Sequence, residues 1–310
     1  MIGRRQASGV SDQESAVHVP VLLNEVIEHL APQPGDDAID CTFGGGGYSK
    51  RLLDATAPDG RVLAIDRDPN AVAAAQTLTW VRSAGKRLTL VHADFRDVAG
   101  VATTHGFSRP QRIVADLGLS SVQLAESDRG FSFQREEPLD MRFDPTNGGE
   151  TAADLLRTQS PQELERIFRS YGEEPAARSI ARTIVEERRR HPITTTVALV
   201  TVIEQVVRRR GRIHPATRIF QALRIAVNDE LTTLDAAIPQ MFDLLPPGGH
   251  LAIVSFHSLE DRIVKRRFRR FADQRVGSLV LRRPVRPSDA EVAENPRSRS
   301  AKLRVIERSA

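Results

Sequence analysis

The chemistry-bearing residues gather in a few short runs. Asp40-Cys-Thr-Phe43 leads into four glycines, Gly44 to Gly47. Glycines between a strand and a helix let the backbone approach a ligand closely. Nicotinamide, flavin and S-adenosylmethionine sites all use such a turn, so the glycines alone do not choose among them. A phosphate-binding P-loop is excluded, because Lys50 is followed by Arg51 and no Gly-Lys-Ser/Thr occurs. The dinucleotide fingerprint is imperfect, with Ser49 where a third glycine or an alanine belongs.

Nearby acids narrow the choice. Asp66 lies twenty residues after Gly46, a spacing that suits a carboxylate bonding ribose hydroxyls. Asp40 stands just before the glycines, where a carboxylate suits the ammonium of S-adenosylmethionine and would repel a pyrophosphate. Asp94-Phe95 offers an acid and an aromatic to bond and stack an adenine. Asp116-Leu-Gly-Leu-Ser-Ser-Val-Gln123 follows another apolar run. A carboxylate at Asp116 can accept a hydrogen bond from an amine and hold its nitrogen toward a methyl donor. Ser255-Phe-His-Ser-Leu-Glu-Asp-Arg262 tempts a hydrolase reading, but no Gly-x-Ser-x-Gly elbow occurs, and residues so close in sequence seldom converge as a triad. Ser258 reads as a helix cap with Asp261 at N3. His257 is a candidate substrate contact or a structural residue. No His, Asp or Glu spacing reads as a dedicated metal site, and the one cysteine, Cys41, reads as a small buried residue and excludes an internal disulfide.

These residues need a scaffold that brings strand ends together. Residues 36–117 alternate strand and helix signals: Asp37–Phe43, Arg61–Asp66, Leu88–His92 and Arg112–Leu117 as strands, with helices between and Pro69 at the first position of one. That rhythm predicts a parallel sheet covered on both faces. From 125 to 214 no strand signal appears, and helices are expected at Thr151–Leu156, Pro161–Tyr171, Pro175–Arg190 and Thr196–Arg210. Ser160 would cap the second, and Val197, Val200, Ile203 and Val207 would form the stripe of the last. The alternating pattern then resumes. Ile219, Leu223, Val227, Leu231, Leu234 and Ile238 form one apolar stripe ended or kinked by Pro239, followed by a strand at Leu251–Phe256, a basic helix at Leu259–Phe271 and a strand at Lys302–Glu307. Residues 284–300 read as loop. The organisation is an α/β, Rossmann-like doubly wound sheet at 17–124 and 215–310, a helical insertion at 125–214 that would recognise substrate, and a disordered leader at 1–16.

Net charge is +4, but its distribution is uneven. Ten Arg or Lys against one acid, Asp273, fall between Arg262 and Arg286. Arg188–Arg190 and Arg208–Arg212 make two more clusters. One such cluster is ordinarily a solvated face; three point to a polyanionic partner. No apolar run is long enough to cross a membrane, and no signal peptide is evident, so a cytoplasmic protein is expected.

The longer motifs carry a resemblance. His18-Val-Pro-Val-Leu-Leu, Asp40-Cys-Thr-Phe-Gly-Gly-Gly-Gly, Asp116-Leu-Gly-Leu-Ser-Ser, Arg129-Gly-Phe-Ser-Phe, Pro138-Leu-Asp-Met-Arg, Tyr171-Gly-Glu-Glu, His214-Pro-Ala-Thr-Arg, Ser255-Phe-His-Ser-Leu-Glu-Asp-Arg-Ile-Val-Lys and Asn295-Pro-Arg-Ser-Arg-Ser resemble the RsmH (MraW) family of bacterial 16S rRNA (cytosine-N4)-methyltransferases. The resemblance spans residues 18 to 308. It implies a class I S-adenosylmethionine-dependent methyltransferase fold with a helical insertion. It also implies transfer to N4 of cytidine 1402 in 16S rRNA of the small ribosomal subunit. By motif, the cofactor contacts would be Gly46, Gly47, Tyr48, Asp66, Phe95, Asp116 and Gln123, beside Asp40, Gly44 and Asp94 from the residue chemistry; Asp116 and His257 are the catalytic candidates. The family usually has His where this chain has Tyr48, which puts a side-chain role there in doubt. Two other functions compete: a non-catalytic S-adenosylmethionine-binding ribosome-assembly factor, and a nicotinamide-dependent oxidoreductase. Monomer and homodimer both stay open.

Overall fold

Short aliphatic runs, each buried on both sides, build the sheet. In the computed structural model, which describes residues 20–119, 128–208 and 214–310, they form β1 (Ala38–Asp40), β2 (Val62–Asp66), β3 (Leu88–His92), β4 (Arg112–Asp116), β5 (His250–Ser255), β6 (Gly277–Leu279) and β7 (Lys302–Arg308). Their order is β3-β2-β1-β4-β5-β7-β6. The first five run parallel, and β7 is antiparallel to both β5 and β6. The order reverses at β1, as in a doubly wound sheet, so the crevice at the carboxyl ends of β1 and β4 is the place for a ligand. This is the class I methyltransferase, Rossmann-like fold.

Alternation along each strand supplies two cores. Ile39, Leu63, Ile65, Ile113 and Ile253 point to one face and pack with Phe107, Leu234, Ile238, Met241 and Phe268. Ala38, Val62, Val114 and Val254 point to the other and meet Val26, Leu30, Leu52 and Leu53. Near-continuous burial of β1, β2, β4 and β5 is what helices on both faces require.

A third core is mainly helical, joined by Phe131, Leu139, Met141 and Ile193 from loops. It gathers Leu156, Leu164, Phe168, Ile180, Ile184, Leu199 and Ile203 from the helices Ala152–Thr158, Pro161–Gly172, Ala177–Glu187 and Thr196–Val206. Ser160 caps the second of these by accepting from the Glu163 N–H at 3.1 Å, with Pro161 following. The same core takes in Ile219, Phe220 and Leu223. The helical body therefore reaches past residue 214 into the helix Ala216–Asn228.

Here the structure corrects the single long stripe expected from Ile219 to Ile238. The chain breaks at Asp229, which adopts a left-handed conformation (φ 51°), and a second helix, Glu230–Leu244, continues through Pro239. Ile219 and Leu223 serve the helical core, whereas Leu234 and Ile238 serve the sheet. The break lets one apolar period feed two bodies. The Val197 stripe is corrected too: Val197 is exposed, and Thr196, Leu199, Val202 and Ile203 are the buried set. Thr195 caps this helix, and its phase follows from that cap. Residues 284–300 are not plain loop, since they contain the short helix Asp289–Glu294. The expected leader at 1–16 lies outside the described residues.

Buried polar residues stitch the helical body to the sheet. Asp68 accepts from the Asn70 N–H, capping the helix Pro69–Ala75, and pairs with the Arg129 guanidinium. Asn228 accepts from the Phe143 N–H at 2.7 Å and donates to the Met141 carbonyl at 2.7 Å, while its own carbonyl accepts from Arg67. A buried amide with all these bonds met fixes one relative placement of the two bodies.

Candidate active site

Five parallel strands deliver their carboxyl ends to one cleft of about 1270 Å³, its open mouth included. Of the residues singled out in the sequence, Gly44, Gly47, Tyr48, Asp66, Asp94, Phe95 and Asp116 line it. Gln123 lies outside the described residues.

The glycine turn is fastened from below. Gly44 donates its N–H to Asp66 Oδ2 at 2.7 Å, and Asp66 Oδ1 accepts from the Asp68 N–H at 2.8 Å. Both Asp66 oxygens thus keep a free lone pair toward the cleft. Burial pushes the Asp66 carboxyl up to about 6, against the two backbone hydrogen bonds that pull it down. Asp94 accepts from the Arg96 N–H, capping the short turn Phe95–Asp97, and faces Arg67 at 3.4 Å. Phe95 packs on the sheet core with part of its ring toward the cleft.

Three expectations require correction. Asp40 has no exposed surface and does not line the cleft. Its oxygens accept from Ser49 Oγ at 2.7 Å and the Thr42 N–H at 3.1 Å, bonds that brace the turn. Burial pushes it up to about 6. Gly46 does not line the cleft either. It sits at φ 79°, and a Cβ there would fall 2.6 Å from both the Phe43 and Trp80 rings, so the need for glycine is conformational and steric. His257 is also not on the lining. It is the N-cap of the helix Ser258–Asp273, in a capping box with Glu260 at N3, which displaces the expected cap at Ser258 and Asp261. Its Nε2 comes within 3.1 Å of Glu260 Oε1 without hydrogen-bond alignment, leaving that nitrogen unsatisfied.

Tyr48 resolves the one sequence departure. Its ring is buried, and its hydroxyl donates to the Val21 carbonyl. The side chain therefore ties the segment Pro20–Val21, which forms one lip of the cleft, to the helix Gly47–Ala55.

Asp116 stands at the switch point. Its N–H donates to Thr42 Oγ1 at 2.7 Å, and the Thr42 N–H donates to Asp40. Asp116 Oδ1 is shut off from solvent and has no hydrogen-bond partner among the described residues. Burial, then the charges of Asp40 and Glu260, holds its carboxyl well above the usual range. An orphaned acceptor of this kind costs free energy until a donor arrives.

The opposite wall is assembled from segments far apart in sequence. Glu230, Thr233, Leu234, Phe143, Phe256, Glu260, Asn295 and Arg297 come from four distant segments. Arg224 clamps Glu230 with two bonds of 2.7 and 2.8 Å, both side chains nearly buried. Glu260 Oε2 accepts from the Phe256 and His257 N–H groups. Burial raises the Glu260 carboxyl, but the opposing His257 and Arg224 leave it below its ordinary value. Ligand atoms of Glu230, His257 and Glu260 come within 4.8 Å of one another, with the Arg224 cation already on Glu230. The motifs Ser255–Lys265 and Asn295–Ser300 contain Phe256, Glu260, Asn295 and Arg297 of this wall, whereas nothing in the sequence singled out Glu230, Thr233 or Phe143.

The lining carries five carboxylates (Asp66, Asp94, Asp116, Glu230, Glu260) against two arginines (Arg67, Arg297). Such a field attracts a cationic ligand and repels a pyrophosphate, which disfavours a nicotinamide dinucleotide.

Residues 15–309 match the MraW methylase family. The chain is 51% identical over 325 residues to the Ribosomal RNA small subunit methyltransferase H of Thermomicrobium roseum, covering 100% of this chain and 99% of that one. It is 49% identical over 311 residues to the enzyme of the same name from Magnetococcus marinus, covering 94% and 99%. Among solved structures, an rRNA methylase from Streptococcus thermophilus aligns with a TM-score of 0.43 at 12% identity over 93% of each chain, a likeness too distant to support an argument.

Proposed function

The chain belongs to the MraW methylase family, and from that premise we propose that it transfers a methyl group to N4 of cytidine 1402 in 16S rRNA of the small ribosomal subunit. The methyl donor is S-adenosylmethionine. The residues present fit it: an acid-rich cleft, a glycine turn fixed to Asp66, and an unmet acceptor at the switch point. When bound, the donor supplies an electrophilic methyl carbon on a sulfonium.

The chain's own residues do the rest. Asp66 accepts from the ribose hydroxyls, Gly44 and Gly47 bring backbone close, and Asp94 with Phe95 flanks the adenine. Asp116 carries the reading. A cytosine amine shares its lone pair with the ring and is a poor nucleophile. Asp116 Oδ1 takes one amine hydrogen, turns the nitrogen lone pair toward the methyl carbon and stabilises the positive charge that develops there. The amine bond also meets the unsatisfied demand of that oxygen. The proton then leaves the alkylated nitrogen through Asp116 to water. The helical body, at 125–214 by the sequence division and extended to Asn228 by its core, frames the substrate side.

Mass spectrometry of nucleosides from small-subunit rRNA incubated with the protein and labelled donor tests this. Labelled N4-methylcytidine is expected. A label on another base or on ribose, or none, refutes the assignment. Binding of RNA and donor without transfer would favour an assembly factor.

A further inference from the structure

Basic residues in this chain divide into those that hold the protein together and those that face solvent unpaired. Arg188 donates to the Leu156 and Gln159 carbonyls, closing the end of a helix, and Arg190 pairs with Glu187. Arg267 is locked to Asp235 by two 2.6 Å bonds, and Arg262 reaches Glu173 at 3.1 Å. Lys265, Arg266, Arg269 and Arg270 are different. All four are exposed, and none has a hydrogen bond or ion pair among the described residues.

Their placement is ordered. Along its body, the helix Ser258–Asp273 buries the face formed by Glu260, Val264 and Phe268. At 100° per residue, the four free cations fall within one arc on the opposite side, and i,i+4 spacing makes Lys265–Arg269 and Arg266–Arg270 adjacent pairs. Like-charged neighbours at that spacing are mildly destabilising unless something neutralises them. The helix begins at the cleft, where Phe256 and Glu260 form part of the wall. A rise of about 1.5 Å per residue sets the four cations roughly 10–18 Å from that end, a distance of two to three nucleotides of extended strand. Beyond them Arg275, Arg282, Arg283 and Arg286 are also exposed and have no side-chain partner among the described residues; they flank the β6 edge that packs beside this helix.

We propose that Lys265, Arg266, Arg269 and Arg270 form a phosphate track that carries the RNA backbone flanking the target nucleotide, leading it from the cleft mouth along the helix toward the β6 edge. The proposal rests on the rRNA reading above. An acid-rich cleft repels a polyanion, so the base must enter while its phosphates are held elsewhere; the track is the nearest surface of opposite sign. Phosphate contacts of this kind position the substrate and carry no sequence information.

The test uses the full chain with all four residues changed to Gln, which keeps a polar side chain and removes charge. Binding of S-adenosylhomocysteine, measured by calorimetry, reports that the fold and donor site are intact. RNA affinity and KM for methyl transfer are then measured on small-subunit rRNA at several salt concentrations. The expected result is at least about a hundredfold weaker RNA binding, a slope of log affinity against log salt shallower by about 3, and unchanged S-adenosylhomocysteine binding. A second variant, with the exposed Arg51, Arg82, Lys86 and Arg109 changed to Gln, removes the same charge outside both the track and the helical body and checks that charge removal alone is insufficient. Its RNA affinity should stay within about twofold of the parent. Unchanged KM and salt slope in the fourfold variant would overturn the track while leaving the methyltransferase reading intact. A loss equal in both variants would also overturn it, since the effect would then be net charge. Failure of the unmodified protein to methylate rRNA, with the track variant still weakening RNA binding, would refute the methylation reading and keep the track.

Discussion

The two walls of the cleft are built in opposite ways. The donor wall comes from the loops after β1, β2 and β3, within residues 41–95, and its carboxylates are held by backbone N–H groups: Gly44 and Asp68 on Asp66, Arg96 on Asp94. The acceptor wall comes from Phe143, Glu230, Thr233, Phe256, Glu260 and Arg297, segments far apart in the chain; Glu260 is held by the N–H groups of its own helix cap, and Glu230 by the Arg224 side chain. A wall fixed by backbone is set once the strands pair. A wall drawn from segments this far apart in the chain exists only after the helical body and the sheet have docked. Asp116 sits between them, tied to the donor side through Thr42.

Substitutions can break this contrast. The largest effect is expected at the junction. Asp116→Ala should reduce single-turnover methyl transfer by about a thousandfold while changing S-adenosylhomocysteine affinity less than tenfold; equal losses in both would place Asp116 in the donor wall. Next is Arg224→Leu, which leaves the buried Glu230 charge unpaired. It should cost about 3 kcal/mol in urea unfolding, with donor affinity retained in the folded fraction. Full stability in this variant would show that the acceptor wall does not depend on that pair.

The donor wall should instead reveal itself through pH. Asp66 is raised to about 6 in the folded chain, above its unfolded value. Its favourable contribution is complete at low pH and is lost as pH rises through about 6, because the unfolded chain has already released that proton. Asp66→Asn removes this dependence. Between pH 4 and pH 8 the variant should gain on the parent by up to about 3 kcal/mol without ligand. A flat difference would mean that Asp66 is ionised in the fold. The smallest effect is expected at Tyr48→Phe. Loss of the hydrogen bond to the Val21 carbonyl should cost about 1 kcal/mol and loosen the lip over the donor, read as faster dissociation of S-adenosylhomocysteine.

The same contrast explains what could be read from sequence. β1 to β5, the glycine turn, Asp66, Asp94, Phe95 and Asp116 were legible because strand and turn chemistry is local and the doubly wound order places strand ends together. Ser160-Pro161 marked a helix start for the same reason. The acceptor wall was legible only in part: Phe256, Glu260, Asn295 and Arg297 lie in motifs, but nothing in the residues around Glu230 says that Arg224 will clamp it or that Glu260 will stand near it. The stripe from Ile219 to Ile238 misled because periodicity cannot show that Asp229 turns left-handed and sends the two halves to different cores. Asp40 and His257 misled in another way. Their types suit ligand contact, yet Ser49, Thr42 and Glu260 engage them as braces and cap.

The central claim is geometric: the acceptor nitrogen lies against Asp116. A crystal structure of the chain with S-adenosylhomocysteine and cytidine tests it most directly. The account predicts the exocyclic nitrogen about 3 Å from Asp116 Oδ1, with the ribose of the donor product on Asp66. A cytosine amine held by Glu230 and Glu260 instead, with Asp116 Oδ1 still unpartnered, would contradict it.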